Sequence, residues 1–324
     1  MNIKEIWEYY GKDLAAAEEK IHETLKAASP IVYDVGRHIF TGGGKRIRPL
    51  LVILCARISG YTGEKTRTLA CSVESIHTAS LLHDDVVDSA NLRRGRPPAH
   101  SVWGNQIAVL AGDFFYSNAL RLANSLKNQK IMDALSGATA GMAEKEMLQL
   151  ALKGNPDISE EDYMEIITGK TATLMSAACM SGAILGGSPK KKVNALASFG
   201  LKLGRAFQIA DDILDYMAEE KALGKSLGKD IEEGKITLPL IYLLKKASYD
   251  EAEKLKIIIK NEKLLASDLN YIQDLLNKYK SIEQSYAKAT AIIKEAGAEL
   301  NIFEDSMEKT ALLTLSNYAL NRRK

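Results

Sequence analysis

The sequence predicts an all-α protein, and three observations lead to this prediction. Long segments rich in Ala, Leu, Glu, Lys and Ile carry apolar residues at every third or fourth position, the spacing of one helix face. Only seven prolines interrupt the 324 residues, so few positions forbid a helix. No segment alternates apolar and polar residues over the length that a half-buried strand needs.

Residues 66–88 form the clearest predicted helix. Leu69, Val73, Ile76 and Val87 recur there at helical intervals and define an apolar face. The same spacing predicts the other helices in chain order, at residues 2–28, 49–58, 106–125, 131–153, 159–185, 191–217 and 238–246 and over much of 267–321.

Clusters of glycine, asparagine and proline predict the breaks between these helices. None of them is long enough to act as an interdomain linker, so we expect a single domain over residues 1–324. The breaks lie at residues 41–44, 91–98, 154–156, 186–189 and 224–234.

Charge and cysteine content exclude several classes of protein. The 43 Lys and Arg residues nearly balance 41 Asp and Glu, so a net charge of +2 favours neither nucleic acid nor an anionic membrane as a partner. Cys55, Cys71 and Cys179 are odd in number and widely spaced, which argues against a disulfide framework or a zinc site. The charged N-terminus does not resemble a signal peptide, and no run approaches the roughly 18 apolar residues of a membrane span. We therefore expect a soluble, cytoplasmic protein.

One acidic pattern occurs twice, each time within an apolar helical segment. Residues i and i+4 share a helix face, so each copy places two carboxylates side by side. These like charges repel, and in apolar helices they need a compensating cation; oxygen ligands without His or Cys suit Mg²⁺. A solvated helix end explains one such cluster more simply, but two copies of the same pattern favour metal binding. The clusters are Asp84, Asp85 and Asp88, and Asp211, Asp212 and Asp215.

Basic segments that suit phosphate binding lie near the acidic clusters. Residues 42–49 join a glycine turn to Lys45, Arg46 and Arg48, and end in a proline suited to the first turn of a helix, where backbone N–H groups attract anions. This segment is not a Walker A loop, because Arg46 stands at the Ser/Thr position. The cations that follow the two acidic clusters are Arg93 and Arg94, and Lys225, Lys229 and Lys235.

In this arrangement the chain resembles the trans-isoprenyl diphosphate synthases, also called polyprenyl synthetases. The matching segments follow the order of that family, and the paired aspartate-rich motifs are highly specific. The segments are residues 44–49, 76–88, 93–95, 169–171, 207–215, 224–225 and 234–239.

The resemblance implies an isoprenoid synthase helix bundle around a deep central cavity, in a homodimer, with the acidic clusters facing each other across the cavity mouth. It implies Mg²⁺ as the cofactor, with four aspartates as ligands and Asp85 and Asp212 in supporting roles. The implied metal ligands are Asp84, Asp88, Asp211 and Asp215.

The resemblance also implies two diphosphate substrates. The residues implied for isopentenyl diphosphate are Lys45, Arg48, His77 and Arg94. Those implied for the allylic diphosphate are Arg93, Lys170, Thr171, Gln208, Lys225 and Lys235. The residues implied at the reaction itself are Asp84, Asp88, Asp211, Asp212, Lys170 and Gln208.

The implied reaction begins when the allylic diphosphate ionises. The alkene of isopentenyl diphosphate then attacks the allylic cation, a proton leaves, and the chain is one isoprene unit longer. No protein nucleophile is needed, because metals and fixed cations stabilise the charge that develops on the leaving diphosphate.

Two small residues before the first acidic cluster bear on product length. Ala79 and Ser80 stand where short-chain synthases commonly carry aromatic side chains, so the resemblance implies an open tunnel and a medium- or long-chain product, with octaprenyl favoured. Such a product serves quinone side chains and is delivered to a membrane. A short-chain farnesyl or geranylgeranyl product is the alternative.

Three other functions remain to be weighed. Glu74 and His77 have the Glu-x-x-His spacing of di-iron helix bundles, but two further inward-facing glutamates are not evident. A non-catalytic partner subunit of a heteromeric synthase would lack one or both acidic clusters, whereas both are intact here, so this chain would be the catalytic one if a helper subunit is needed. A terpene cyclase would not need the second set of basic residues.

Overall fold

A computed structural model describes residues 1–217, 228–261 and 264–321, and these residues form helices and loops without a strand. An isolated bridge joins Arg93 and Arg96. In chain order the α-helices are α1 (Ile3–Tyr9), α2 (Gly11–Lys26), α3 (Pro30–Thr41), α4 (Ile47–Ile58), α5 (Lys65–Val87), α6 (Ala99–Trp103), α7 (Asn105–Ser125), α8 (Gln129–Ala151), α9 (Glu160–Ile167), α10 (Thr173–Leu185), α11 (Lys190–Met217), α12 (Lys229–Glu232), α13 (Leu238–Lys246), α14 (Tyr249–Lys260), α15 (Ala266–Tyr279), α16 (Ser281–Glu299) and α17 (Met307–Leu320). A π-helix covers Thr168–Ala172, and a 3₁₀-helix covers Leu300–Ile302.

The all-α prediction is confirmed, and the boundaries of several helices differ from those predicted. The predicted helix 2–28 is divided at Tyr10, which ends α1 and precedes α2. The predicted helix 159–185 contains the π-helix, where one extra residue per turn shifts the side chains around the axis. Helix α3 was not predicted, although Pro30 occupies its first turn as proline often does.

The chain groups into two compact units, each made of separate stretches of sequence. The first unit contains Met1–Ala140, Leu174–Gly200 and Glu299–Leu315. The second unit contains Gly141–Thr173, Leu201–Ala298 and Ser316–Lys324. The single domain predicted over residues 1–324 stays a prediction.

Helix α5 is the central element of the first unit. It packs against α7, α4 and α2, and Cys71, Ala79 and Leu82 on its buried side join one hydrophobic cluster. Phe40 of α3 and Phe115 of α7 meet edge to face in that cluster, with ring centroids 5.6 Å apart. This packing fixes α5 and thereby the direction in which its last turn presents polar side chains.

The second unit fixes the end of α11 through buried polar contacts. The hydroxyls of Tyr216 and Thr237 lie 2.8 Å apart, and Gln273 donates its amide to the carbonyl of Tyr216 at 3.2 Å. Helix α13 packs against α9 and α15 in the same unit. None of the helices in the described part of the chain combines the length and apolar character needed to cross a membrane.

Candidate active site

The first acidic cluster lies at the C-terminal end of α5. Asp84 belongs to its last turn and Asp88 is its C-cap, and the amide of Asp88 donates to the carbonyl of Asp84 at 2.8 Å. Both side chains are half-buried. The spacing of four residues therefore places Asp84 and Asp88 on the same face, as the sequence predicts.

Asp85 has a different environment from its two neighbours. Its side chain is only 2% exposed, and Arg93 donates through Nε to both carboxylate oxygens, at 2.6 and 2.7 Å. Arg93 is held in a tight turn, since its amide donates to the carbonyl of Arg96 at 2.8 Å. Asp85 thus ties the basic loop to α5, which fits the supporting role implied by the resemblance.

The glycine loop, defined here as residues 42–46, is fixed by Arg46. This residue has a left-handed backbone with φ 48°, and its guanidinium donates to Glu74 and Glu18, both at 2.9 Å, and to the carbonyl of Phe40 at 2.8 Å. Glu74 is therefore occupied by an arginine. The Glu-x-x-His spacing allowed Glu74 to be a di-iron ligand, but in the described part of the chain Glu74 pairs with Arg46 instead.

The positive charges of four arginines lower the pKa of His77 on α5. Burial lowers the pKa of His77 well below its usual value, and Arg48, Arg94, Arg93 and Arg46 lower the pKa further. The imidazole is therefore neutral at neutral pH, and it lies within a concentration of positive charge.

Arg94 links the basic loop to the glycine loop. It donates to the carbonyl of Gly43, and its pKa is lowered by burial and by the positive charges of Arg93 and Arg46. Gly44 has φ 147°, a backbone conformation that L side chains rarely adopt, so glycine suits this position beside Arg94. The structure thus brings three of the four residues implied for isopentenyl diphosphate, Arg48, His77 and Arg94, into one electrostatic group beside the glycine loop, and the fourth, Lys45, lies in that loop.

The second acidic cluster lies on α11. Asp212 is buried and accepts hydrogen bonds from the hydroxyl of Tyr163 at 2.6 Å and from the amide of Gln208 at 2.8 Å. Burial raises the pKa of Asp212 to about 7; the two hydrogen bonds oppose this rise, and Asp211 and Asp215 add to it. Asp212 is therefore tied to the interior of the second unit.

Asp211 and Asp215 differ from Asp212 in burial. Asp211 is exposed and Asp215 is half-buried. Asp215 accepts a hydrogen bond from the backbone amide of Asp230 at 3.0 Å, which links α11 to the first turn of α12. Asp211 and Asp215 thus keep the predicted i and i+4 spacing on α11, and Asp215 also binds the backbone of α12.

The π-helix carries Lys170 and Thr171. Lys170 lies 2.7 Å from Glu146 and donates to Gln149 at 2.9 Å. Thr171 donates its hydroxyl to the carbonyl oxygen of Gln208 at 2.7 Å. A hydrogen-bonded chain therefore runs from Thr171 through Gln208 to Asp212.

The basic residues after the second cluster share one acidic partner. Lys235 and Lys229 pair with Glu233 at 2.6 and 3.0 Å. Lys225, which the resemblance places on the allylic side, lies outside the described residues.

Of the two predicted chain-length residues, Ala79 lies on the side of α5 that faces the core. Ala79 is fully buried within the hydrophobic cluster of the first unit. Ser80 is half-buried and donates its hydroxyl to the carbonyl of His77 at 2.8 Å. Ala79 therefore stands where added bulk would displace hydrophobic neighbours.

The acidic pairs have the chemistry of a hard divalent cation site. The described residues contain no group of three or more His, Cys, Asp or Glu side chains able to hold a metal ion by themselves. Mg²⁺ usually takes one or two carboxylates and completes its octahedron with water and phosphate oxygens. Oxygen-only pairs such as Asp84 with Asp88 therefore fit a metal that is shared with a phosphate-bearing substrate.

Several contributors to the site were missed by sequence reasoning. Tyr163 and Asp230 contact the second cluster, and Glu18 and Glu74 neutralise Arg46. The partners of these pairs lie 15 to 49 residues apart in the chain, so no local spacing indicates them. The sequence contained one sign of these pairs: Glu74, three residues before His77, is an acidic residue in an apolar helix and so needs a cationic partner.

Comparison with known proteins identifies the family. The polyprenyl synthetase family profile matches residues 29–276. The chain is 38% identical over 324 residues to the octaprenyl diphosphate synthase of Escherichia coli, covering 99% of both chains. It is also 38% identical over 312 residues to the geranyl-diphosphate-specific all-trans-nonaprenyl-diphosphate synthase of Rhodobacter capsulatus. This match covers 96% of this chain and 95% of the relative.

A solved structure is similar to this chain over its full length. The polyprenyl synthase of Caulobacter crescentus, crystallised with calcium and isoprenyl diphosphate, matches with a TM-score of 0.95 and 35% identity, covering 100% of this chain and 98% of that one. The all-α fold, the two aspartate pairs and these similarities agree, and the chain belongs to the polyprenyl synthetase family and is a prenyltransferase.

Proposed function

We propose that this prenyltransferase condenses isopentenyl diphosphate with an allylic diphosphate in the presence of Mg²⁺, and that its product is a medium- or long-chain polyprenyl diphosphate of the octaprenyl type. The observation that carries the proposal is the group of four arginines whose charges act on His77 of α5, the helix whose C-terminal end carries the first pair of aspartates. Glu18 and Glu74 pair with Arg46, and Asp85 pairs with Arg93, so these carboxylates hold two of the four arginines in place. A diphosphate supplies several oxygen acceptors and more than one negative charge, which is what a group of guanidinium ions binds best.

The residues of the first unit suit isopentenyl diphosphate. Arg48 and Arg94 carry fixed positive charge, and neutral His77 offers a ring N–H without adding to the repulsion. Lys45 adds a flexible ammonium from the glycine loop. We assign these four residues to the diphosphate of isopentenyl diphosphate, whose alkene end must stay clear of charge.

The aspartate pairs suit the metal side of the allylic diphosphate. Asp84 with Asp88, and Asp211 with Asp215, would hold Mg²⁺, which when bound neutralises the charge that develops on the leaving diphosphate. Asp85 holds Arg93 in place, and Asp212 holds Gln208 and Tyr163 in place. These two aspartates therefore orient the cluster instead of binding metal.

The polar chain on the π-helix suits the carbon cation. Thr171 and Gln208 are neutral and hydrogen-bonded to each other, so their oxygen dipoles would stabilise a cation without forming a covalent bond to it. Lys170 pairs with Glu146 and Gln149, which limits its positive charge near the carbon cation. We assign its ammonium to the allylic diphosphate, whose oxygens would replace one of these two contacts.

Product length is assigned from Ala79 and from the relatives. Ala79 is small and fully buried in the hydrophobic cluster of the first unit, at a position where short-chain synthases commonly carry an aromatic side chain. A larger residue there would push its apolar neighbours into the path of a growing prenyl chain. At the same 38% identity, the octaprenyl synthase matches 99% of this chain and the nonaprenyl synthase matches 96% of it, so we favour octaprenyl and expect neighbouring lengths close to it.

We further propose that the enzyme is a homodimer. Helix α7 leaves Val109 and Leu110 exposed, the latter at 62%. We assign them to an apolar patch that a second copy of the chain would cover, since contiguous exposed apolar surface marks interaction sites.

The experiment that tests the proposal is an extraction assay. Purified protein with Mg²⁺, radiolabelled isopentenyl diphosphate and farnesyl diphosphate should yield butanol-soluble label, and chromatography of the dephosphorylated product should give its length. A parallel reaction with EDTA tests the metal requirement. No extractable label in the Mg²⁺ reaction would refute the proposed reaction, and activity only after addition of a second protein would show that a helper subunit is needed.

A further inference from the structure

The glycine loop has a contact with the N-terminal helix that the proposed mechanism does not use. Trp7 of α1 donates its indole Nε1–H to the backbone carbonyl of Lys45 at 2.9 Å, across 38 positions of sequence. Lys45 is one of the residues that we assign to isopentenyl diphosphate. Trp7 thus reaches the backbone of a substrate-binding residue from outside the motif.

Helix α1 is a firm support for this contact. Ile6 and Tyr10 are fully buried, and the Tyr10 hydroxyl donates to Glu308 of α17 at 3.2 Å. The guanidinium of Arg57 lies over the Tyr10 ring at 5.4 Å, and it also pairs with Asp13 of α2 at 2.8 Å. The helix that carries Trp7 is therefore tied to α2, α4 and α17 within the first unit.

The residue after Lys45 makes the orientation of this carbonyl matter. The peptide that joins Lys45 to Arg46 leads into a left-handed backbone, which an L-residue with a long side chain adopts only when its surroundings impose it. The Arg46 side chain is held by Glu74, Glu18 and the Phe40 carbonyl. Trp7 holds the carbonyl side of the same peptide, so the peptide is fixed on both sides.

We propose that Trp7 is a positioning residue for isopentenyl diphosphate, and that α1 thereby completes the diphosphate site. The inference rests on the proposed function, since it acts through Lys45. Without the indole N–H, the Lys45 carbonyl loses this restraint while Arg46 stays held. The backbone of Lys45 is then less firmly oriented, and the placement of its ammonium for the diphosphate is lost. In this role the indole ring of Trp7 does not itself contact substrate.

Trp7→Phe tests the inference because it removes the donor and keeps an aromatic ring. We expect the KM for isopentenyl diphosphate to rise about five-fold, the loss of one hydrogen bond, while kcat and the KM for farnesyl diphosphate stay within about two-fold. Tyr9→Phe is the matched control, since Tyr9 lies on the same helix and is 53% exposed, and it should leave all three constants unchanged.

Direct binding separates this inference from the proposed reaction. Isothermal titration of isopentenyl diphosphate without metal should give a Kd about five-fold weaker for Trp7→Phe than for the wild type, with the thermal unfolding midpoint unchanged. Equal affinities and equal KM values would overturn the role of Trp7 while leaving the proposed function intact. A wild type that binds no isopentenyl diphosphate would overturn both. A fall in kcat together with a similar rise in both KM values and a lower unfolding midpoint would assign Trp7 to folding alone. That result would also overturn the inference.

Discussion

Tyr163 of α9 donates its hydroxyl to Asp212 of α11 at 2.6 Å, and the middle aspartate of the second cluster is thereby held inside the second unit. Gln208 donates to the other oxygen of the same carboxyl group. In the first cluster Arg93 holds Asp85 in the same way. Each acidic pattern therefore combines an outer pair of aspartates with a central residue that a neighbouring helix or loop restrains.

Tyr163→Phe should destabilise the protein, because it leaves a buried carboxyl group with one hydrogen bond fewer. We expect the free energy of unfolding to fall by about 1–3 kcal/mol. Urea denaturation at pH 7.5 measures this change. Tyr249→Phe is the control, since Tyr249 is 80% exposed, and it should have no effect. An unfolding free energy equal to that of the wild type would contradict the importance of the Tyr163–Asp212 bond.

Asp84→Ala and Asp211→Ala should each lower kcat by about 10²- to 10³-fold, since each removes a ligand to a metal that acts on the leaving group. The extraction assay at saturating substrates measures this loss. Asp250→Ala removes an exposed acidic residue on α14 and should leave kcat unchanged. Full activity in either cluster variant would argue against its role in metal binding.

Ala79→Tyr should shorten the product, because the added ring displaces apolar neighbours in the hydrophobic cluster of the first unit into the path of the growing chain. Overpacking of this kind costs about 1–3 kcal/mol, so thermal unfolding should be recorded alongside the chromatogram. Ser80→Ala removes a hydroxyl that bonds to the His77 carbonyl and adds no bulk, so it should leave product length unchanged. An Ala79→Tyr enzyme that still makes the wild-type product would place the wall of the chain tunnel elsewhere.

His77 should make stability depend on pH below its ordinary pKa. Burial and the arginines lower its folded-state pKa below 6.5, so the unfolded chain binds the extra proton first and stability falls as pH decreases through 6.5. Between pH 6.5 and 5.5 the wild type should lose about 1 kcal/mol more than His77→Gln, whose amide does not titrate in this range. Urea denaturation at the two pH values measures the difference. Equal losses would mean that His77 titrates normally in the folded protein.

Much of the site followed from local spacing. Positions i and i+4 lie on one helix face whatever the rest of the chain does, so the pairs Asp84 with Asp88 and Asp211 with Asp215 were predictable from periodicity alone. The glycine run at 42–44 likewise indicated a loop, because these residues tolerate the positive φ that Gly43 and Gly44 adopt. Helix α3 was missed even though Val32, Val35 and Ile39 recur there at helical intervals and Pro30 stands in its first turn, so local spacing indicated this helix too.

The sequence by itself determined the helical class, the two carboxylate pairs and the basic segments, since backbone geometry converts spacing directly into a shared face. Only the tertiary structure decided which carboxylates are buried and which cations are already paired. Asp212 meets Tyr163 across 49 positions, Glu74 meets Arg46 across 28, and Lys45 meets Trp7 across 38. Such partners are chosen by how helices pack, because long-range contacts depend on the whole chain and leave no local period in the sequence.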